Sequence, residues 1–115
     1  MIGIIDYGVG NLFSLKSSFE AIGVKTFVSG DAAVLAKADK LVLPGVGAFG
    51  DAADKLRQTG LDSFVCEQAH KGIPLLGICL GMQLLFEKSF EYGEHAGLGL
   101  LKGQVVPMTE RLSAD

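Results

Sequence analysis

A cysteine flanked two residues away on each side by glycine, Gly77-Ile78-Cys79-Leu80-Gly81, carries the clearest chemical content of this 115-residue chain. The run has the form of a nucleophile elbow, G-x-S-x-G, with sulfur in place of the hydroxyl oxygen. In such a turn a strand breaks sharply into a helix and lifts the nucleophile clear of the sheet. Small residues on either side keep the turn from striking its neighbours. The amide after the nucleophile, here Leu80, is placed to meet the negative oxygen that forms when sulfur adds to a carbonyl. The N-terminus of the following helix favours thiolate over thiol. Gln83 comes one helical turn later, with its side chain directed back toward Cys79. The competing reading is a packed cysteine in a strand-to-helix corner, which needs neither glycine. Cys66, within "DSFVCEQAH" and without a glycine beside it, fits that packed reading instead.

A second glycine-rich turn, Pro44 to Gly50 ("PGVGAFG"), matches G-x-G-x-x-G in form. A dinucleotide site would call for an acidic residue about twenty positions on, at a strand end, and the next strand ends at Cys79. The related "GVGN" at residues 8–11 places Phe13 where the third glycine belongs. The alternative use of the loop is exposed backbone: Gly45 and Gly47 let successive N–H groups around Val46 face a ligand, as an oxyanion hole or carboxylate cradle requires. A thiolate of this kind also needs a base. The two histidines are His70, which reads as a cap at a helix C-terminus, and His95, in a polar loop. Neither sits in a recognisable catalytic setting.

The elements that would position these residues alternate along the chain. Strands are expected at 2–5, 24–28, 40–43 and 74–79, with further strand material at 97–108. Helices are expected after the cap Asn11 (Leu12, Leu15, Phe19 and Ile22 on one face), over 31–38, 51–58 and 61–70, and from Leu80 to Phe86. Strands one, three and four are continuous apolar runs, the mark of a parallel sheet covered on both faces.

Composition narrows the function classes. Net charge is −3 with no basic stripe, which argues against a nucleic-acid partner. Two cysteines without C-x-x-C spacing argue against a zinc site or a disulfide framework and for a reducing, cytoplasmic setting. No metal or cofactor is called for. The uncharged stretch 72–86 is shorter than the ~20 apolar residues a bilayer crossing needs, and the N-terminus lacks the features of a signal peptide.

"GICLGMQLLFEKSFE" followed by "GLGLLKG", taken with "IIDYGVGNLFSLKSSFEAIG" and "LVLPGVGAFGDA", resembles the class I glutamine amidotransferases, and within them the glutaminase subunits of histidine biosynthesis. The resemblance runs from Met1 to about Pro107. It implies a flavodoxin-like open, mainly parallel sheet with helices on both faces. It also implies a reaction in which Cys79 attacks the carboxamide of glutamine and releases ammonia. Gly45, Val46 and Gly47 then correspond to the oxyanion strand, with the Leu80 amide as second donor. Gln83 and Glu91 match positions that hold glutamine, and Asn11 belongs to the face turned toward a partner. That partner is a cyclase subunit with a (β/α)8 barrel, forming a heterodimer. In the family the catalytic His and Glu lie in a C-terminal "HSY.E"-type segment with no counterpart here. The expectation is therefore that residues 1–115 are the N-terminal portion of one such domain, inactive alone. The alternative is a non-catalytic fragment or interaction module that docks on the cyclase.

Overall fold

A computed structural model describes residues 1–106. Strand β1 (Ile2–Ile5) leads into α1 (Leu12–Ala21), then β2 (Thr26–Ser29), α2 (Ala32–Leu35) and β3 (Lys40–Leu43). Two helices, α3 (Phe49–Gln58) and α4 (Leu61–His70), precede β4 (Leu75–Gly77). The four strands form one parallel sheet in the order β2-β1-β3-β4, the doubly wound arrangement expected. Ile4 stands beside both Val28 and Val42, and Val42 beside Leu76, so these four share one face. Ile5, Leu41 and Leu43 share the other.

The second face holds the core. Ile5, Leu41 and Leu43 cluster with Leu35, Phe49, Leu56, Leu61 and Val65, all nearly inaccessible to water. Helix α1 lies over the first face, where Phe19 shares an apolar groove with Ile2, Val42 and Leu76. Asn11 starts α1 by accepting a hydrogen bond from the Ser14 amide at 3.2 Å, one of the orphan donors of the first turn. Asp31 caps α2 in the same way through the Ala33 amide. Gly60, at φ +74°, takes the left-handed conformation that separates α3 from α4.

Several expected boundaries are corrected. The helix read over 31–38 covers only α2, with Asp31 as its cap. The strand read over 24–28 begins at Thr26 and runs to Ser29. The largest correction concerns the helix expected from Leu80 to Phe86. Helix α5 is Leu80–Leu84, and Phe86 opens strand β5 (Phe86–Ser89) of a second sheet, with β6 (His95–Ala96) and β7 (Leu101–Val105). Strand β5 runs antiparallel to β6 and parallel to β7. A helix this short gains little from propagation, so pairing with distant strands decides the conformation of Phe86 onward. Of the strand material expected over 97–108, β7 covers 101–105; Pro107 and Met108 lie outside the described residues.

Candidate functional site

Cys79 occupies the turn between β4 and α5 at φ 55° and ψ −124°, a backbone conformation that a side chain makes costly. Its side chain is exposed. The flanking glycines are explained by close approach. A Cβ on Gly81 would lie 1.9 Å from the Leu43 carbonyl oxygen, and one on Gly77 would lie 2.7 Å from the Met82 Cα. The end of β3 and the first turn of α5 therefore press on the elbow from two sides, and only glycine fits at either contact. Cys66, by contrast, is half-buried, with Sγ 3.7 Å from the Leu98 carbonyl oxygen. Burial, and after it the Asp62 charge, pushes its thiol pKa up.

The glycine-rich loop after β3 lies against this elbow. The Ile78 amide donates to the Leu43 carbonyl at 3.0 Å, and the Leu80 amide donates to the Gly45 carbonyl at 3.2 Å. The Leu80 N–H expected to serve an oxyanion is thus held by the loop itself. Gly45 is buried, while Val46 is exposed and Gly47, at φ +89°, faces open space. Tyr7, just beyond β1, donates its hydroxyl to the Pro44 carbonyl at 2.5 Å within the core. Burial raises the phenol pKa above its ordinary range.

Cys79, Gly45, Val46 and Asn11 line one cleft of about 230 Å³, with Ser14, Leu15 and Ser18 from α1 as its far wall. Other expected site residues are placed elsewhere. Gln83 is half-buried on α5, one turn beyond Cys79. Glu91 lines a separate cavity with Asp51, Asp54, Tyr92 and His95. The His95 ring packs against Gly50, where a Cβ would lie 2.6 Å from Cε1 and 2.7 Å from Nδ1, and its Nε2 lies 3.2 Å from the Tyr92 carbonyl oxygen. His70 ends α4, on the side of the sheet where β4 begins, whereas Cys79 follows the strand's other end. The structure brings neither histidine into the Cys79 cleft. Tyr7, Ser14 and Ser18 were not singled out from the sequence. Asn11, Ser14, Leu15 and Ser18 fall at helical spacing on one face of α1, but nothing in that spacing points to Cys79, and only the fold gathers them with the loop that Tyr7 holds. Among the described residues no helix is long and apolar enough to cross a membrane, and no group of three or more His, Cys, Asp or Glu side chains could hold a metal ion.

The fold is an open, doubly wound α/β sheet, and its sequence relatives define the class. Residues 6–115 match the CobB/CobQ-like glutamine amidotransferase domain, so the chain belongs to that family of domains. It is similar to the imidazole glycerol phosphate synthase subunit HisH of Wolinella succinogenes, 54% identical over 93% of this chain and 52% of that protein. The subunit of the same name from Bacillus subtilis is 56% identical over 100% of this chain and 52% of its own length. That from Aquifex aeolicus is 57% identical over 90% and 50%. The chain thus spans about half the length of the curated relatives it matches. Two solved structures share the fold. A glutamine amidotransferase superposes with TM-score 0.77 at 23% identity, over 91% of this chain and 55% of that one. A putative peptidase E from Listeria monocytogenes superposes with TM-score 0.71 at 16% identity, over 87% and 62%.

Proposed function

We propose that the chain is the nucleophile-bearing part of a glutaminase that supplies ammonia to the cyclase subunit of imidazole glycerol phosphate synthase in histidine biosynthesis. The observation that carries this reading is the Cys79 turn, held in a left-handed conformation between two glycine contacts and facing the Pro44–Gly47 loop. In the reaction, Cys79 Sγ bonds to the carboxamide carbon of glutamine, the C–N bond breaks, and nitrogen takes a proton to leave as ammonia. Water then adds to the thioester carbonyl and the C–S bond breaks, giving glutamate and the free thiol. Backbone N–H groups of Gly45, Val46 and Gly47 and that of Leu80 would stabilise the oxyanion. For Leu80 this requires the developing oxyanion to replace the Gly45 carbonyl as the acceptor of its N–H.

Gln83 and Glu91 are assigned to holding the substrate's amino-acid end, which requires that the cleft at Cys79 and the cavity at Glu91 be joined when substrate is bound. Asn11, with exposed Phe13 and Val46 nearby, marks the surface for a (β/α)8 cyclase in a cytoplasmic heterodimer. Such a pair keeps released ammonia out of bulk water. The proton steps need a base beside Cys79, and His70 and His95 are both placed away from it. The chain is therefore expected to turn over glutamine only when joined to a segment that brings a histidine, such as the half of the B. subtilis relative that it does not match. The test is glutamate release, with and without the cyclase, from the 115-residue chain and from a fusion to that half. Loss of general acid–base catalysis predicts a deficit of at least 10²-fold for the short chain. Comparable turnover by the two would show that His70 or His95 is the base. No turnover by the fusion, with its fold and cyclase binding intact, would favour a docking module without catalysis.

A further inference from the structure

We propose that Tyr7 is a positioning residue for the Pro44–Gly47 loop: its hydroxyl clamps the Pro44 carbonyl and fixes how the peptides beyond it face Cys79. The inference rests on the reading of this loop as the oxyanion strand and names what holds it. Tyr7 is 3% exposed, and its ring lies in the same core cluster as Leu43, Phe49 and Leu80. The ring is therefore anchored to the elements on both sides of the loop. The Pro44 ring sets its own φ, and a carbonyl held by a buried phenol sets ψ. The Pro44–Gly45 peptide plane is fixed from both directions. Gly45 is then the first position of the loop with rotational freedom, and its own carbonyl is the one that meets the Leu80 amide.

The packing makes Tyr7 part of the same contact. A Cβ placed on Gly45 would lie 3.0 Å from the Tyr7 hydroxyl oxygen, 2.8 Å from the Gly81 amide nitrogen and 3.1 Å from the Leu80 Cβ. Phenol, loop and elbow meet at one backbone atom, so a shift of the hydroxyl is felt at the amide after the nucleophile. Burial pushes the phenol pKa above its ordinary range, so the hydroxyl stays a donor at neutral pH.

The test is Tyr7→Phe in the 115-residue chain, which keeps the ring and deletes only the hydroxyl. Two electrophiles are compared at Cys79. A chloroketone analogue of glutamine adds sulfur through its carbonyl before chloride leaves, so it needs oxyanion donors. With iodoacetamide the sulfur displaces iodide directly at the methylene carbon, and no oxyanion forms. The expected result is a fall of about ten-fold in the chloroketone rate, the equivalent of one buried hydrogen bond, with the iodoacetamide rate unchanged. Hydrogen exchange should quicken at the amides of residues 45–47 and 80 but not in β1 or β3. Equal slowing with both reagents, or exchange quickening across the sheet, would make the hydroxyl a general prop and overturn the proposal. So would unchanged exchange at residues 45–47. If the unmodified chain ignores the chloroketone while iodoacetamide labels Cys79, the glutaminase reading itself fails. The clamp is then decided by hydrogen exchange alone.

Discussion

On one face of the parallel sheet, Ile5, Leu41 and Leu43 meet Phe49, Leu56, Leu61 and Val65 from α3 and α4, each at most 2% exposed. On the other face, Ile4, Val42 and Leu76 meet α1, none of whose residues is buried. Ile4 and Val42 are still covered there, but one strand further out Leu76 is 52% exposed. Burying a large apolar side chain contributes roughly 1.5–3 kcal/mol, so the face carrying Ile5, Leu41 and Leu43 supplies most of the folding energy. The α1 face offers apolar surface that the described residues do not cover. Among the described residues β4 is also the last strand of its sheet, so that surface continues into the strand's outer edge.

The largest expected effect that sharpens this contrast is Phe49→Ala, which should cost about 3–5 kcal/mol in urea unfolding because it empties a fully enclosed site. Phe19→Ala, on the half-covered face, should cost about 1 kcal/mol, since much of its side chain already meets water. Equal losses would erase the distinction between the faces.

The two thiols report on the same contrast. With limiting iodoacetamide at pH 8, peptide mapping should find Cys79 labelled about ten-fold or more ahead of Cys66, because Cys79 is exposed and Cys66 is shielded with its proton held. Labelling of Cys66 should accelerate only at more alkaline pH. The sign for stability follows: a thiol whose pKa is raised by folding favours the fold below its unfolded value, and this contribution is lost as pH rises through the folded value. Equal labelling at pH 8 would place Cys79 in a packed corner instead.

Smaller still is Asn11→Ala, which removes the side-chain acceptor at the start of α1 and should cost about 1 kcal/mol. A loss like that of Phe49→Ala would mean that α1 supports far more of the molecule than its burial indicates. The smallest effect on stability is expected for Leu76→Lys, within about 0.5 kcal/mol. Its effect should appear in association: sedimentation at rising concentration should show less self-association than the unmodified chain, as a charge on β4, the last strand of the sheet among the described residues, disfavours pairing. Unchanged association would locate the sticky surface elsewhere.

Much of the packed face was legible from residues alone. Strands β1 and β3 and helix α4 fall where contiguous apolar runs and helical periodicity put them, because each is specified within its own segment. Strand β5 was not legible. Phe86 closes an apolar helical pattern and Glu87, Lys88 and Ser89 carry no strand signal of their own, so only pairing with residues 95–96 and 101–105 makes them a strand. The candidate site divides in the same way. Cys79, Gly45 and Gly47 announce themselves through glycine spacing, a local requirement of tight turns. Tyr7 does not, since its role depends on a bond to Pro44, 37 positions along the chain. The separation of Glu91 from the Cys79 cleft was also invisible, because spacing along the sequence says nothing about which cavity a loop enters.

The backbone of Cys79 has a consequence for how such a sequence drifts. Left-handed conformations cost a side-chain-bearing residue about 1–3 kcal/mol, and glycine escapes most of that at an entropic cost of about 0.5–1 kcal/mol. Cysteine and glycine codons differ by a single base. Any lineage or library sorted for stability alone should therefore accumulate Cys79→Gly. Retention of cysteine at this position under such sorting would be a record of selection acting on its sulfur.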